Sequence, residues 1–196
     1  MANIKKAVEW ITAVAKDDSH GYDQAHRNGP DYDCSSLVAT ALHEAGFNIS
    51  PNSWTGNLKD QLMAEGFYLC STPWLPGDIH LNTKYHVCMS INEKEIVEAS
   101  LNEKGGITGG QTGDQTGSEI VIKPFYVYRY GWNYHLRAPQ KRRDPVTLMR
   151  VAIDTMMGVY GNSPVREEKL QKAGYVPECV QEIINYVYQK VEEYYG

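Results

Sequence analysis

The pattern of apolar and polar positions divides the chain into three regions. In the first region, apolar residues recur at helical spacing over residues 5–16, 34–45 and 58–64, which predicts three helices. The stretch 17–32, between the first two helices, is polar and contains glycines and a proline, so it predicts a loop. The first third of the chain is therefore predicted to be mainly helical.

In the second region the apolar positions alternate, which is the pattern of half-buried strands. The predicted strands cover residues 78–81, 85–91, 95–99, 119–122, 126–130 and 132–136. The segment 105–118 is rich in Gly, Thr and Gln and predicts a long loop. This loop is either a segment that gates the substrate or a plain linker.

In the third region helical spacing returns and predicts three short helices, at residues 146–157, 166–173 and 177–195. The preceding stretch is polar, basic and bracketed by prolines, as domain boundaries often are. We therefore expect an α+β domain over residues 1–137, a linker over 138–145 and a small three-helix bundle over 146–196.

Composition and charge narrow the range of functions. The 196 residues carry 19 Lys and Arg against 24 Asp and Glu, and the net charge of −5 argues against a nucleic-acid partner. No run of about 18 apolar residues is present, so no membrane insertion is expected. The first residues lack the apolar segment of a signal peptide, so we expect synthesis in the cytoplasm without a cleaved leader.

The cysteines and histidines do not follow the spacing of metal ligands. The chain has 4 Cys and 6 His, but neither a Cys-x-x-Cys pair nor a His-x-x-x-His motif occurs. No glycine-rich loop followed by Lys and Ser or Thr is present, so phosphoryl transfer is not indicated. We expect a protein that uses no metal and no cofactor.

One cysteine stands at a position suited to nucleophilic chemistry. Cys34 is predicted to begin a helix directly after Asp33, a favourable N-cap residue. The free N–H groups and the positive end of the helix dipole favour the thiolate, and they can stabilise an oxyanion when the thiolate attacks an acyl carbon. The alternative is that Cys34 is a small buried residue at a helix start.

A nucleophilic cysteine needs a base, and His86 is the best placed of the six histidines. It lies inside a predicted strand, on the face opposite the apolar residues of that strand. Glu98 lies in the next predicted strand and can orient the imidazole by accepting its second N–H. His80 remains open as an alternative base.

Together these residues resemble the NlpC-type cysteine peptidases of cell-wall turnover. Asp33-Cys34-Ser35 matches the Asp-Cys-Ser-Gly signature of that family, with Ser36 in place of the glycine. Residues 76–79, Pro-Gly-Asp-Ile, resemble the turn before the central strand of the family. Glu98 stands where the family often has a histidine.

Other segments resemble the phage endolysin branch of this family, which is often labelled amidase. They are residues 29–37, 53–57 and 113–117, and the resemblance as a whole covers residues 3–137. It implies a circularly permuted, papain-like α+β fold. The implied catalytic residues are Cys34, His86 and Glu98, and the implied substrate and oxyanion residues are Tyr22, Asp33 and Ser35.

The C-terminal region resembles the Cpl-seven-type cell-wall-binding repeat of phage lysozymes. The similarity is carried by Tyr160-Gly161-Asn162, Arg166 and Ala173-Gly174-Tyr175, with Ser163 where the family has a second glycine. It implies that Tyr160, Arg166 and Tyr175 contact peptidoglycan, since aromatic faces fit sugars and guanidinium groups fit carboxylates. The alternative is that the tyrosines are core residues and Arg166 is a surface charge.

The two resemblances together predict an endolysin-like peptidoglycan hydrolase that a phage holin releases to the cell wall. The bond cut is either the γ-D-glutamyl or isoglutaminyl bond to the diamino acid, which we favour, or the bond between muramic acid and L-alanine. A cell-wall-binding protein without catalysis is one alternative. A thiol acyltransferase or amidohydrolase on the same fold is another.

Overall fold

The computed structural model describes residues 2–139, 145–173 and 175–195. Contacts within the chain divide it into two units, Met1–Pro139 and Gln140–Gly196. The described residues form six helices and a six-stranded antiparallel sheet, which confirms the predicted α+β class. The papain-like arrangement and the division into catalytic and wall-binding domains remain predictions.

Three helices begin the first unit: α1 (Ile4–Val14), α2 (Cys34–Glu44) and α3 (Thr55–Ala64). Helix α1 starts where the side chain of Asn3 accepts the Lys5 N–H at 3.1 Å. Helix α3 starts three residues before its predicted position, because the side chain of Asn57 accepts the Trp54 N–H at 2.9 Å and closes a polar first turn. Apolar residues recur at helical spacing only from the second turn of α3, so the sequence pattern does not predict the first turn.

The sheet follows in the order β1-β6-β2-β3-β4-β5, with every neighbouring pair antiparallel. In the register of the central pair, His80 lies opposite Cys88 and Asn82 opposite His86. The strands are β1 (Tyr68–Leu69), β2 (Ile79–Asn82), β3 (His86–Ser90), β4 (Glu95–Ala99), β5 (Ile120–Pro124) and β6 (Tyr134–Arg137).

The core of the first unit lies between the helices and one face of the sheet. Helix α2 packs against β3 and β4, and α1 packs against α2. Strand β3 is buried along its whole length, so both of its faces are covered. The alternating pattern predicted one exposed face, and β3 has none. Tyr85, predicted within this strand, lies before its first residue and is 47% exposed.

Two further features of the sheet differ from the predictions. Residues 126–130 form no strand; their tyrosine rings pack edge to face on one another, so the alternation does not mark two sheet faces. The two-residue β1 was not predicted, because so short a segment shows no period.

The described part of the second unit contains α4 (Pro145–Met156), α5 (Val165–Lys172) and α6 (Pro177–Tyr195). These agree with the three predicted helices to within one residue at each end. Most of the predicted linker, residues 140–144, lies outside the described residues. The helices share a separate small core of Val151, Ala152, Leu170, Val180 and Ile184.

None of the helices in the described ranges is both long enough and apolar enough to cross a membrane.

Candidate active site

The start of α2 is held by a capping box. One carboxylate oxygen of Asp33 accepts the N–H groups of Ser35 at 2.9 Å and Ser36 at 2.7 Å. In return, the Ser36 hydroxyl accepts the Asp33 N–H at 3.0 Å. These bonds fix Cys34 as the first residue of the helix, where the helix dipole is positive.

Arg27 fastens the cap from outside the helix. Its Nε lies 3.1 Å from the second carboxylate oxygen of Asp33, and its Nη2 donates to the Ser35 hydroxyl at 3.1 Å. The same Nη2 donates to the carbonyl of Ser53. The side chains of Asp33 and Ser35, predicted as substrate and oxyanion residues, are therefore engaged in holding the helix start.

His86 lies between Cys34 and Glu98. Its Nε2 is 2.9 Å from a carboxylate oxygen of Glu98, and Cys34 lies close enough to the ring for its charge to raise the pKa of the imidazole. This pairing leaves Nδ1 as the ring nitrogen for the sulfur. Cys34 is 9% exposed, His86 8% and Glu98 2%, so all three residues are buried and the glutamate most deeply.

The charges of this group favour a protonated imidazole. Burial alone would lower the pKa of His86, but the interactions with Cys34 and Glu98, both negatively charged, outweigh it and raise the pKa to about 9. An imidazolium beside a sulfur is the proton donor that a thiolate mechanism requires.

Glu98 is ionised because it has three donors around it. Lys123 Nζ lies 2.5 Å from one carboxylate oxygen, and the Tyr126 hydroxyl donates to the other at 2.8 Å. Burial raises the pKa of Glu98, but the bonds from His86, Lys123 and Tyr126 lower it to about 2. The carboxylate is thus an anion held in one orientation.

Aromatic rings cover the outer side of His86. Trp132 stacks on the imidazole with 6.0 Å between ring centroids, and the Tyr128 ring lies at 5.4 Å. The Trp132 N–H donates to the carbonyl of Tyr126 at 3.0 Å, which fixes the indole. These rings shield the imidazole from water and restrict its rotation.

Tyr22 is buried near the sulfur. Its hydroxyl pKa is raised by burial and by the negative charges of Cys34 and Asp33, so the phenol keeps its proton. Its backbone N–H donates to the Glu119 carboxylate at 2.9 Å, which fixes the backbone at this point. Tyr22 is therefore a neutral hydroxyl within electrostatic range of Cys34.

The N-terminal loop (residues 15–33), which carries Tyr22, is joined to the glycine-rich loop (residues 105–118). One carboxylate oxygen of Asp31 accepts the N–H groups of Gly21 and Gly113, both at 2.9 Å. The backbones approach so closely that a Cβ on Gly21 would lie 2.2 Å from the carbonyl oxygen of Gly113. The glycine-rich loop is thus anchored beside the site.

His80, the alternative base, belongs to another group of side chains. Its Nε2 pairs with the Ser90 hydroxyl at 2.7 Å and its Nδ1 with His135 at 2.8 Å. Burial and the neighbouring His135 lower its pKa to about 3. Both ring nitrogens are occupied, and His86 is the imidazole that the structure brings to Cys34.

The predicted wall-binding residues lie in the second unit. Tyr160 and Tyr175 are partly buried and pack against its core, as the alternative interpretation expects. Arg166 pairs with the Glu167 carboxylate at 2.9 Å. It borders a surface depression of about 330 Å³ that is lined by Arg166, Glu167, Pro177, Gln181, Glu182 and Asn185.

Within the described ranges, no three His, Cys, Asp or Glu side chains are grouped so that they could hold a metal ion.

Comparison with protein families supports a cell-wall function. A family described as bacteriophage peptidoglycan hydrolase matches residues 3–133, two thirds of the chain. A second family, described as an endolysin-like domain, matches residues 96–176. No curated protein matches the chain.

Proposed function

The chain belongs to the bacteriophage peptidoglycan hydrolase family and is a peptidoglycan-hydrolysing enzyme, and on this premise we propose that Cys34, His86 and Glu98 perform the hydrolysis. The observation that carries the proposal is the placement of Cys34 at the start of α2, in electrostatic range of an imidazole whose Nε2 lies 2.9 Å from Glu98. Nucleophile, base and orienting group stand in the order that thiol hydrolases require.

The reaction begins with attack of the Cys34 thiolate on an amide carbonyl of the stem peptide. The His86 imidazolium then gives its proton to the leaving amine, which breaks the C–N bond and leaves an acyl group on the sulfur. Neutral His86 next removes a proton from water. The resulting hydroxide attacks the thioester, releases the carboxylic acid and restores the thiolate.

Two groups stabilise the oxyanion formed during attack. The first is the N–H of Cys34, which lies at the positive end of α2. The N–H groups of Ser35 and Ser36 do not serve this role, because they donate to the Asp33 carboxylate. The neutral Tyr22 hydroxyl is the second proposed donor. In this role Asp33 and Ser35 support the site by positioning Cys34.

The bond we propose is the one between D-glutamate, or isoglutamine, and the diamino acid. The bond between muramic acid and L-alanine is the alternative for the same site. Either cleavage uses the same three residues, since both bonds are amides. The new terminus of the released fragment identifies which bond was cut.

We further propose that the second unit binds the wall through Arg166, with Tyr160 and Tyr175 supporting its surface. A guanidinium at the border of a depression can pair with a carboxylate of the polymer. This binding would keep the catalytic unit close to an insoluble substrate.

The test is digestion of purified sacculi by the full-length protein and by its Cys34→Ala and Cys88→Ala variants. We expect wild type and Cys88→Ala to clear the suspension and Cys34→Ala to leave it turbid. Mass spectrometry of the soluble fragments should show a new amino terminus on the diamino acid rather than on L-alanine. Equal clearing by Cys34→Ala would reject the cysteine mechanism, and sacculi bound but uncut by every variant would indicate a binding protein.

A further inference from the structure

A row of tyrosine rings leads outward from His86 along one side of the site. Tyr128 lies 5.4 Å from His86, Tyr130 lies 5.7 Å from Tyr128, and Tyr85 lies 4.6 Å from Tyr130, all between ring centroids. The two outer rings are about half exposed, at 47% for Tyr85 and 52% for Tyr130. The row therefore begins at the catalytic imidazole and ends in solvent.

Two cations lie on the outer rings of this row. The Arg129 guanidinium is 4.6 Å from the centre of the Tyr130 ring, and Lys84 Nζ is 4.9 Å from that of Tyr85. A cation on an aromatic face loses less freedom on binding a ligand, because the ring already restricts it. The chain has a net charge of −5, so two such cations beside the site differ in sign from the charge of the whole chain.

The electrostatics of Tyr128 connect Arg129, one of these cations, with the nucleophile. Burial raises the pKa of its hydroxyl, Arg129 lowers it, and the charge of Cys34 raises it. Tyr128 is therefore within range of both the sulfur and the guanidinium. A substrate that is attacked at Cys34 and extends past Tyr128 would reach Arg129.

We propose that Arg129 and Lys84 form a subsite for a free carboxylate of the stem peptide, next to the amide that is cut. The proposal rests on the proposed function, because it takes Cys34 as the point of attack. Cations already lie over both outer rings. A ligand that approaches the row therefore meets the N–H donors of Lys84 and Arg129 rather than bare ring faces. Stem peptides provide such carboxylates on D-glutamate and on the diamino acid.

The test uses pairs of synthetic muramoyl peptides that differ only in a carboxylate or a carboxamide, at D-glutamate in one pair and at the diamino acid in the other. For one pair, we expect wild type to prefer the carboxylate about tenfold in kcat/KM, the effect of a charge-assisted hydrogen bond. Arg129→Gln should bring that ratio close to one, and Arg129→Lys should keep most of it. Lys84→Gln should reduce it partly.

Lys59→Gln is the matched control, because Lys59 also lies over a tyrosine ring, that of Tyr134, but on α3. It should keep the wild-type ratio. A ratio of one in wild type for both pairs would overturn the proposal. So would an unchanged ratio in a protein carrying both Arg129→Gln and Lys84→Gln, or an equal loss on both members of a pair.

Binding to the Cys34→Ala protein separates this proposal from the proposed function. Its dissociation constants for the two members of a pair, measured by calorimetry, need no catalysis. The same preference should appear there and vanish when Arg129→Gln is added. If wild type cuts neither member and the preference persists, the mechanism fails while the subsite stands; if wild type cuts both without preference, the subsite fails alone.

Discussion

At the residue scale, the proton on His86 is controlled by neighbours with opposing effects. Burial would release the proton, whereas Cys34 and Glu98 hold it. Glu98 can do so because Lys123 and Tyr126 keep it ionised in spite of its burial. The useful pH range of the site therefore depends on residues that do not touch the substrate.

The first prediction concerns the alkaline limit of activity. Because the pKa of His86 is raised to about 9, the imidazolium persists up to that pH and kcat/KM should fall above it. Glu98→Gln removes a negative charge that raises this pKa, so the alkaline limb should move to lower pH. The measurement is the pH dependence of kcat/KM on a soluble stem peptide. An unmoved limb in Glu98→Gln would exclude Glu98 as the orienting group.

The second prediction concerns Lys123 as a positioning residue. Lys123→Met removes the partner of one Glu98 oxygen, so Glu98 should hold His86 less well. We expect kcat to fall about fivefold with little change in KM, which matches the roughly 1 kcal/mol of a partly exposed ion pair. Lys123→Arg should restore most of the rate. A variant that raises KM and leaves kcat unchanged would place Lys123 in substrate binding instead.

Some residues of the candidate site can be predicted from the sequence and others cannot. Cys34 follows a capping residue and His86 lies in a strand, so local patterns single them out. Lys123 lies opposite Ile96 in the register of β4 and β5, diagonal to Glu98, and this neighbourhood appears only once the strands are paired. Arg27 lies in a loop without periodicity, so no pattern predicts its contact with the cap.

At the element scale, the two loops beside the site behave as one support. Besides the Asp31 bridge, the Gln24 N–H donates to the carbonyl of Ile107 at 2.9 Å, and the Asp114 N–H donates to that of Asp18 at 2.8 Å. The glycine composition of residues 105–118 predicts a loop but contains no information about what holds it. Its partners Asp31, Gln24 and Asp18 lie more than 80 residues earlier in the chain.

The third prediction concerns the bridge between these loops. Asp31→Ala leaves the buried N–H groups of Gly21 and Gly113 without their acceptor, which costs about 1–3 kcal/mol for each such group. Hydrogen exchange at Gly113 should become faster, and KM should rise as Tyr22 loses its support. Asp31→Asn keeps an acceptor oxygen and is the matched control. Unchanged exchange in Asp31→Ala would show that the other contacts between the loops suffice.

Strand prediction succeeded where side chains alternate between two environments and failed where rings pack on each other. The segment 95–99 has the predicted bounds, because its partners on both sides impose the pleat. The tyrosines at 126, 128 and 130 alternate just as regularly, yet their rings pack edge to face on one another, with Tyr128 against His86, and do not pair in the sheet. Sequence periodicity shows how apolar side chains are spaced. Whether the segment then forms a strand depends on its neighbours in three dimensions.

At the scale of the whole molecule, the two units have separate cores. The core of the first unit is built from residues between Ala7 and Ala138, and that of the second from residues between Val151 and Ile184. The match to peptidoglycan hydrolases, residues 3–133, falls within the first unit. Composition predicts a boundary near this point because prolines and basic residues interrupt the apolar pattern there.

The last prediction follows from this division. A chain that ends at Pro139 keeps the whole first core and every residue of the candidate active site, so it should fold and cut a soluble stem peptide at a rate similar to that of the full chain. It should bind sacculi less well, because the proposed wall-binding surface is removed. The measurement is sedimentation with sacculi, made with Cys34→Ala in every protein compared so that the wall stays intact. Arg166→Gln in the full chain should reproduce part of the loss; equal sedimentation of all three proteins would place wall binding in the first unit.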